Sequence, residues 1–213
     1  MQSLNYARGG GVTRHPAQPT GWIRIILSGC ILAATILTSI AATRAATLAD
    51  VAMADVRVVD GTRLRLNGIG LRTYSILGIK IYVAGLYLER RNSNADSILH
   101  SPEKKLMHIR FLRDIDEADA KKAWRTGFAN NCRPPECYVD PSAIDRFVSE
   151  VPAIHRGDET TMYFTDHSVD VRMNGRRLGD IEDPHFATTL LGTFIGPVPP
   201  TAKLKRELLG DPD

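Results

Sequence analysis

The stretch that most constrains the fold of this chain is a long apolar run that follows a glycine-rich segment with one arginine. It extends from Leu66 to Leu88 and reads LNGIGLRTYSILGIKIYVAGLYL. Its second half, residues 79–88, is rich in Ile, Val and Tyr, which is typical of a strand buried on much of its surface. Asn67-Gly68 has the composition of a two-residue hairpin turn. We therefore predict a tight turn at 67–68 and a long strand at 79–88 inside a sheet.

The rest of the chain mixes strand and helix patterns. Residues 63–66 alternate between polar and apolar, as a half-buried strand does, whereas residues 46–56 show no regular pattern and are predicted to be weakly ordered. Further stretches with a strand pattern are 105–112, 160–164, 169–173 and 176–181. Stretches with the caps, prolines and apolar faces of helices are 94–99, 116–130, 141–151, 183–194 and 201–209. This order predicts an α+β fold with helices layered on an antiparallel sheet.

The first 45 residues have the composition of a secretory leader. They contain four Arg and no acidic residue, and an apolar run from Ile25 to Ile40 is followed by small residues. A basic start, an apolar middle and a small-residue end are typical of a signal peptide. We predict a signal peptide over 1–45, cleavage near Ala45 or Ala46, and one domain over 46–213 that is periplasmic or secreted and has no membrane span. An uncleaved leader would instead be an N-terminal membrane anchor.

The charge balance of the chain depends on this leader. It holds four of the 27 Lys and Arg residues and none of the 24 Asp and Glu residues, which leaves 23 against 24, a net charge of −1. The sequence pI of about 8.8 therefore comes largely from the leader, and we predict no nucleic-acid binding. The remaining 168 of 213 residues suit a single domain with a sizeable core.

Two cysteines follow the leader, Cys132 and Cys137, within the segment NNCRPPEC. An exported chain meets an oxidising compartment, so an even pair of cysteines favours a disulfide. The intervening Arg-Pro-Pro-Glu favours a turn that would bring the two ends together. A zinc site with two thiolates would need further ligands, and the nearby sequence has no His or Cys cluster. We therefore predict a disulfide and no metal site.

The order of the elements and several segments resemble the bacterial chalcone isomerase-like proteins, relatives of plant chalcone isomerase and of its fatty-acid-binding cousins. The segments that carry the resemblance are GIGLR at 68–72, IKIYVAGLYL at 79–88, NNC at 130–132 and FIGPVPPTAKLKRELL at 194–209. Together they span essentially the whole predicted domain. The resemblance implies an open-faced β-sandwich, in which a large antiparallel sheet has helices layered on one face. The ligand cleft would lie between the sheet and the helices.

The resemblance also implies five ligand-binding residues. Arg72 matches the cleft arginine of the family, and Asn131 is a matching asparagine. The threonine that polarises the substrate carbonyl falls on Tyr82, and the tyrosine that assists this step falls on Trp124. A cleft Ser or Thr falls close to Thr188. Because tryptophan has no hydroxyl group and its ring nitrogen only donates, we assign no catalytic residue and predict a protein that is not an enzyme.

Each of these residues has a second interpretation that the sequence leaves open. Arg72 is either an exposed strand arginine or a fixed cation whose planar fork of donors suits a carboxylate. Tyr82 and Tyr87 are an odd number of residues apart, so at most one of them faces a cleft if the strand is regular. Trp124 either packs in the core or lines the cleft. Asn131 either contacts a ligand or closes the end of a helix.

The leading hypothesis is an exported, non-catalytic protein that binds a small apolar, carboxylated ligand such as a fatty acid, without a cofactor. The first alternative is an active intramolecular lyase or isomerase that acts on a phenolic substrate. The second is a haem-binding or partner protein, since imidazole suits iron, although the sequence identifies no protein partner. The histidines that could serve as an axial ligand are scattered without metal spacing: His108, His155, His167 and His185.

Overall fold

The computed structural model describes residues 45–135 and 137–211. The predicted leader, apart from Ala45, lies outside these ranges. The strands are β1 Ala45–Leu48, β2 Val51–Ala54, β3 Val56–Val59, β4 Thr62–Tyr74, β5 Ile79–Leu88, β6 Lys105–Phe111, β7 Glu159–Phe164, β8 Val169–Met173 and β9 Arg176–Ile181. The helices are α1 Ala95–His100, α2 Glu117–Asn131, α3 Pro141–Ser149, α4 Pro184–Ile195 and α5 Ala202–Leu208.

Strands β3 to β9 form one seven-stranded antiparallel sheet in which each strand pairs with the next along the chain. The helices lie on one face of this sheet, and the larger apolar cluster fills the space between them. The α+β open-faced sandwich with helices on one face is therefore confirmed. The predicted helices and the strands from residue 79 onward agree with the structure to within two residues at each end, because their caps and periodicities are local signals.

Helix α4 is the centre of the helical layer because it is apolar on almost all sides. The Asp183 side chain caps its first turn by accepting hydrogen bonds from the backbone N–H groups of His185 and Phe186, and Pro184 occupies its first position. Nine of its residues are buried, and a helix of this composition needs neighbours all round. It packs against α1, α2 and α5. No helix within the described ranges is both long enough and apolar enough to span a membrane.

The apolar residues of strand β4 change their spacing at Asn67 but stay on one face, since Leu64 and Leu66 before it and Ile69 and Leu71 after it all pack in the same apolar cluster. Leu66 pairs with Tyr87, yet Gly68 pairs with Leu86, so one residue of β4 is extra at this point. An extra residue of this kind is a β-bulge, and it bends the strand instead of ending it. The hairpin turn predicted at 67–68 is therefore wrong.

Tertiary contacts explain why the chain continues through Asn67. The side-chain amide of Asn67 donates to the carbonyl of Leu208 at 2.9 Å, and its oxygen accepts from the backbone N–H of Asn92 at 2.8 Å. The tight turn that precedes β4 lies instead at Asp60-Gly61, where both residues have positive φ angles, as a two-residue hairpin turn requires.

The second face of the sheet is partly covered by a hairpin of β1 and β2. Met53 in β2 is fully buried and belongs to a second apolar cluster, together with Leu66, Val83 and Tyr87 of the sheet. The prediction that residues 46–56 are weakly ordered is therefore wrong. These strands are rich in alanine, which has low strand propensity, so packing against the sheet and not local preference stabilises them.

Candidate functional site

The cleft between the sheet and the helices is closed around a small apolar cavity. Its volume is about 20 Å³, which is space for about one water molecule. The residues that line it are Ile109, Phe111, Thr160, Val171, Met173 and Leu178 from the sheet, and Trp124, Phe147, Val151 and Ile154 from the other side. Ligand pockets usually measure about 300–1,000 Å³. A ligand larger than water therefore has to separate the helices from the sheet.

Aromatic rings form the helical wall of this cavity. Trp124 of α2 meets Phe147 of α3 edge to face, with ring centroids 5.4 Å apart, and Phe194 of α4 at 5.9 Å. Trp124 points inward because it shares a face of α2 with buried Ala120 and Phe128. The Trp124 ring is thus part of the cavity wall and is also packed against the core, and its contact with a ligand remains a prediction.

Arg72 and Tyr82 are direct cross-strand partners on β4 and β5. The Tyr82 ring packs against the larger apolar cluster and meets Phe111 edge to face, with centroids 5.7 Å apart. Residues that lie directly opposite each other in an antiparallel pair share a face of the sheet, so Arg72 is also on the helix-facing side. Tyr87 packs in the cluster on the other face, as its odd spacing from Tyr82 predicts.

The Arg72–Tyr82 pair offers hydrogen-bond donors on the helix-facing side of the sheet, next to Phe111 of the cavity wall. The Arg72 guanidinium donates to the carbonyl of Thr73 at 2.5 Å, and within the described ranges it forms no salt bridge. Since a guanidinium has five N–H donors, most of them are available to a ligand. Burial raises the pKa of Tyr82, and the positive charge of Arg72 offsets only part of that rise. The phenol therefore keeps its proton at neutral pH, and the pair suits a carboxylate.

Of the five predicted ligand-binding residues, Trp124 lines the cavity, and Arg72, Tyr82, Asn131 and Thr188 do not. The Asn131 amide donates to the carbonyls of Gly127 at 3.0 Å and Val198 at 2.9 Å, and its oxygen accepts from the backbone N–H of Val198 at 3.0 Å. These contacts close the end of α2, which is the second interpretation of this residue. Thr188 is half-buried on α4, next to buried Thr189. Ligand contacts by Asn131 and Thr188 remain predictions, as do those by Arg72 and Tyr82.

Most residues of the cavity lining were not predicted from the sequence, above all Phe111, Phe147 and Met173. Their apolar character predicts burial, and they are indeed buried. An apolar pattern in the sequence predicts burial equally for a side chain that fills the core and for one that lines a cleft. The structure separates the two because these residues meet across the boundary between the sheet and the helical layer.

Cys132 and Cys137 form a disulfide, with Cα atoms 4.9 Å apart. The predicted pairing is therefore confirmed. Cys132 caps the C-terminus of α2, and Cys137 Sγ lies 3.3 Å from the hydroxyl oxygen of Thr189 on α4. The bridge thus closes the loop after α2 and holds that loop beside the central helix.

The far face of the sheet carries a polar cluster around His108, which is 4% exposed. Arg57 Nη2 lies 3.0 Å from His108 Nδ1, and Glu159 Oε2 lies 3.3 Å from Nε2. Burial and then the charge of Arg57 lower the pKa of His108, so its ring is neutral and both nitrogens have partners. Within the described ranges no three His, Cys, Asp or Glu side chains are grouped to hold a metal ion. The haem hypothesis remains an untested prediction, and a Soret band on purified protein would test it.

Comparisons with known proteins agree with this geometry. Residues 45–210 match the sequence model of the family described as chalcone isomerase-like. No curated protein matches the sequence. Among solved structures, the chain is similar to the crystal structure of an Arabidopsis thaliana fatty-acid binding protein, AtFAP1, with a TM-score of 0.64 and 16% identity. That similarity covers 78% of this chain and 96% of the Arabidopsis chain, and at this identity it shows the fold.

Proposed function

Because this chain belongs to the chalcone isomerase-like family, we propose that it is a non-catalytic binding protein for a fatty-acid-like ligand. The observation that supports the proposal is the Arg72–Tyr82 pair on the helix-facing side of the sheet, where the Tyr82 ring contacts Phe111 of the apolar cavity wall. An apolar chain with one carboxylate would match both features. The fatty-acid binding named for the Arabidopsis neighbour supports the same class of ligand.

The proposed binding reaction follows from the contacts in the closed cleft. The carboxylate accepts hydrogen bonds from the Arg72 guanidinium and the Tyr82 hydroxyl, which are charge-assisted and therefore stronger than neutral ones. The alkyl chain passes Phe111 and enters the space between the sheet and the Trp124 and Phe147 rings. It replaces ring–ring contacts with ring–methylene contacts, so the apolar lining stays out of water.

The fluorescence of Trp124 provides a direct test of this proposal. Trp22 lies in the predicted leader, so Trp124 is the only tryptophan of the domain over 46–213. We expect a long-chain acid to change its emission at saturable concentration and to bind at least about tenfold more tightly than the methyl ester of the same chain, because a hydrogen bond to a charged group contributes about 1.5–3 kcal/mol. Equal affinities for acid and ester would contradict a carboxylate site.

Isomerase activity is the alternative that the two replaced positions argue against. Tyr82 and Trp124 stand where the resemblance places a threonine and a tyrosine, so the hydroxyl pair that would activate a substrate carbonyl is incomplete. We expect purified protein to cyclise chalcones no faster than buffer, as measured by the loss of chalcone absorbance. Substantial turnover that disappears in Arg72→Ala would establish the isomerase function instead.

We also propose that the protein is exported. The acid-free leader supports this proposal, and so does the disulfide, since such bridges persist in oxidising compartments. Cleavage before Ala46 would remove only the first residue of β1 and leave the hairpin with β2 intact. Protein purified from its native compartment should therefore have an intact mass that begins near Ala46. A mass that begins at Met1 would show that the leader is retained as an anchor.

A further inference from the structure

We propose that the alkyl chain of the ligand crosses the strands from Arg72 toward a second, open pocket, and that Met173 sets the longest chain that binds. This inference rests on the proposed function, since it concerns the far end of the same ligand. It assigns a role to a pocket and to a side chain at the opposite end of the cleft from the Arg72–Tyr82 pair.

The open pocket has a volume of about 300 Å³ and lies where β8 ends. Pro152, Ala153 and His155 form one side of it, and Arg176 forms part of another. Met173 also lines it, and Met173 is at the same time part of the wall of the closed cavity. Met173 therefore lies between the closed cavity and a pocket that opens to solvent.

The other part of the partition is the segment from Val151 to His155. Val151 and Ile154 line the closed cavity, whereas Pro152, Ala153 and His155 line the open pocket. This segment is held in place because the backbones of Ile154 and Ile115 exchange two hydrogen bonds of 2.9 Å. A methionine side chain has three rotatable bonds and adapts its shape easily. Met173 is thus the part of the partition that can yield to a ligand.

The path between the two ends follows neighbouring residues across the sheet. Arg72 pairs with Tyr82, and Tyr82 pairs with Phe111. On the next strand, Thr160 lies opposite Ile109, which is two residues before Phe111 and on the same face, and Thr160 pairs with Met173. All of these residues line the cavity. From β4 to β8 there are four strand-to-strand steps, or roughly 19 Å at the usual spacing. That length suits the extended tail of a long-chain acid and exceeds that of a short-chain acid.

The test is a chain-length profile with saturated acids from octanoate to stearate, measured by the fluorescence of Trp124. In the wild-type protein, affinity should rise with length until the tail has displaced Met173 and its end lies in the open pocket. Met173→Phe should leave the affinity for octanoate unchanged and weaken the longest acid by about tenfold, since about two methylenes lose their buried position. Met173→Ala should extend the rise to longer acids.

Two further variants test the route without changing the core packing around Met173. Ala153→Phe fills the open pocket from an exposed position, so it should also weaken only the longest acids without disturbing the core. Val58→Phe adds the same ring on exposed β3, away from the cleft, and should match the wild-type profile. Thermal melting identifies any variant that fails to fold. If a Met173 variant does not fold, the chain-length profile of Ala153→Phe tests the route instead.

The outcomes separate this inference from the proposed function. If acids bind more tightly than their esters but every folded variant has the wild-type chain-length profile, the route past Met173 is overturned and the carboxylate site stands. If the folded wild-type protein binds none of the acids, the proposed function is overturned and the route falls with it. A shift of the profile in opposite directions for Met173→Phe and Met173→Ala supports the route.

Discussion

Gly68→Ala is expected to destabilise the fold by more than about 4 kcal/mol, a loss that is exceptional for one methyl group. A Cβ atom at position 68 would lie 2.0 Å from the carbonyl oxygen of Glu207 and 2.6 Å from that of Leu208. Both atoms belong to the backbone at the end of α5, so neither can rotate away. Helix α5 would have to leave strand β4, and a typical domain has a stability of only about 5–15 kcal/mol.

Two other glycine variants provide matched controls for this result. Gly192→Ala adds the same methyl group in α4, where a Cβ meets no atom within 4 Å, so it should be neutral or slightly stabilising because alanine favours helices. Gly85→Ala should have an intermediate effect, because the Cβ would lie 2.4 Å from Met53 Sδ, the end of a flexible side chain. Urea unfolding followed by circular dichroism measures all three. A Gly68→Ala midpoint equal to that of the wild type would show that α5 does not pack on β4 in this way.

Arg72→Ala is expected to weaken binding of a carboxylated ligand by roughly tenfold to a hundredfold while leaving its neutral ester unaffected. The reason is the loss of a charged hydrogen bond, which contributes about 1.5–3 kcal/mol. Arg72→Lys should recover only part of the affinity, because an ammonium group cannot form the planar fork of a guanidinium. Tyr82→Phe should give a smaller loss, because it removes one neutral donor and keeps the ring that packs against Phe111.

Arg65→Ala is the control for this series. Arg65 also lies on β4, but it is exposed, so its removal changes the net charge equally without changing the cleft. Calorimetric titration with the acid and its ester gives the affinities for every variant. If Arg65→Ala and Arg72→Ala weaken the acid by the same factor, long-range charge explains binding and Arg72 is not an anchor.

Much of the fold could be predicted from the sequence because its signals are local. Strand β5 follows from a run of Ile, Val and Tyr, and α2 follows from the Asp116 cap, whose side chain accepts the backbone N–H of Asp119 at 2.8 Å. The opposite orientations of Tyr82 and Tyr87 follow from the two-residue period of a strand. The Cys132–Cys137 pair followed from the count and spacing of the cysteines.

Some local signals were outweighed by contacts between distant parts of the chain. Asn67-Gly68 has the composition of a turn, but Leu208, 141 residues further along, accepts a hydrogen bond from Asn67. Position 68 requires glycine because the backbone of α5 lies where a Cβ atom would be, and not because the chain turns there. The hairpin of β1 and β2 likewise owes its order to Met53, which fills the space above Gly85. None of these partners is visible in a short window of sequence.

The candidate site also depends partly on local sequence patterns and partly on contacts between distant residues. The sequence alone determined that the chain carries an arginine beside an apolar strand, that its helices carry apolar residues for packing, and that the fold combines a sheet with a layer of helices. Only the tertiary structure decided that Arg72 lies opposite Tyr82, that Trp124 and Phe147 close the cleft, and that Met173 stands between a closed cavity and an open pocket. The physical reason is that a site is made of side chains from several elements, and their distances depend on register and packing, which no local pattern encodes.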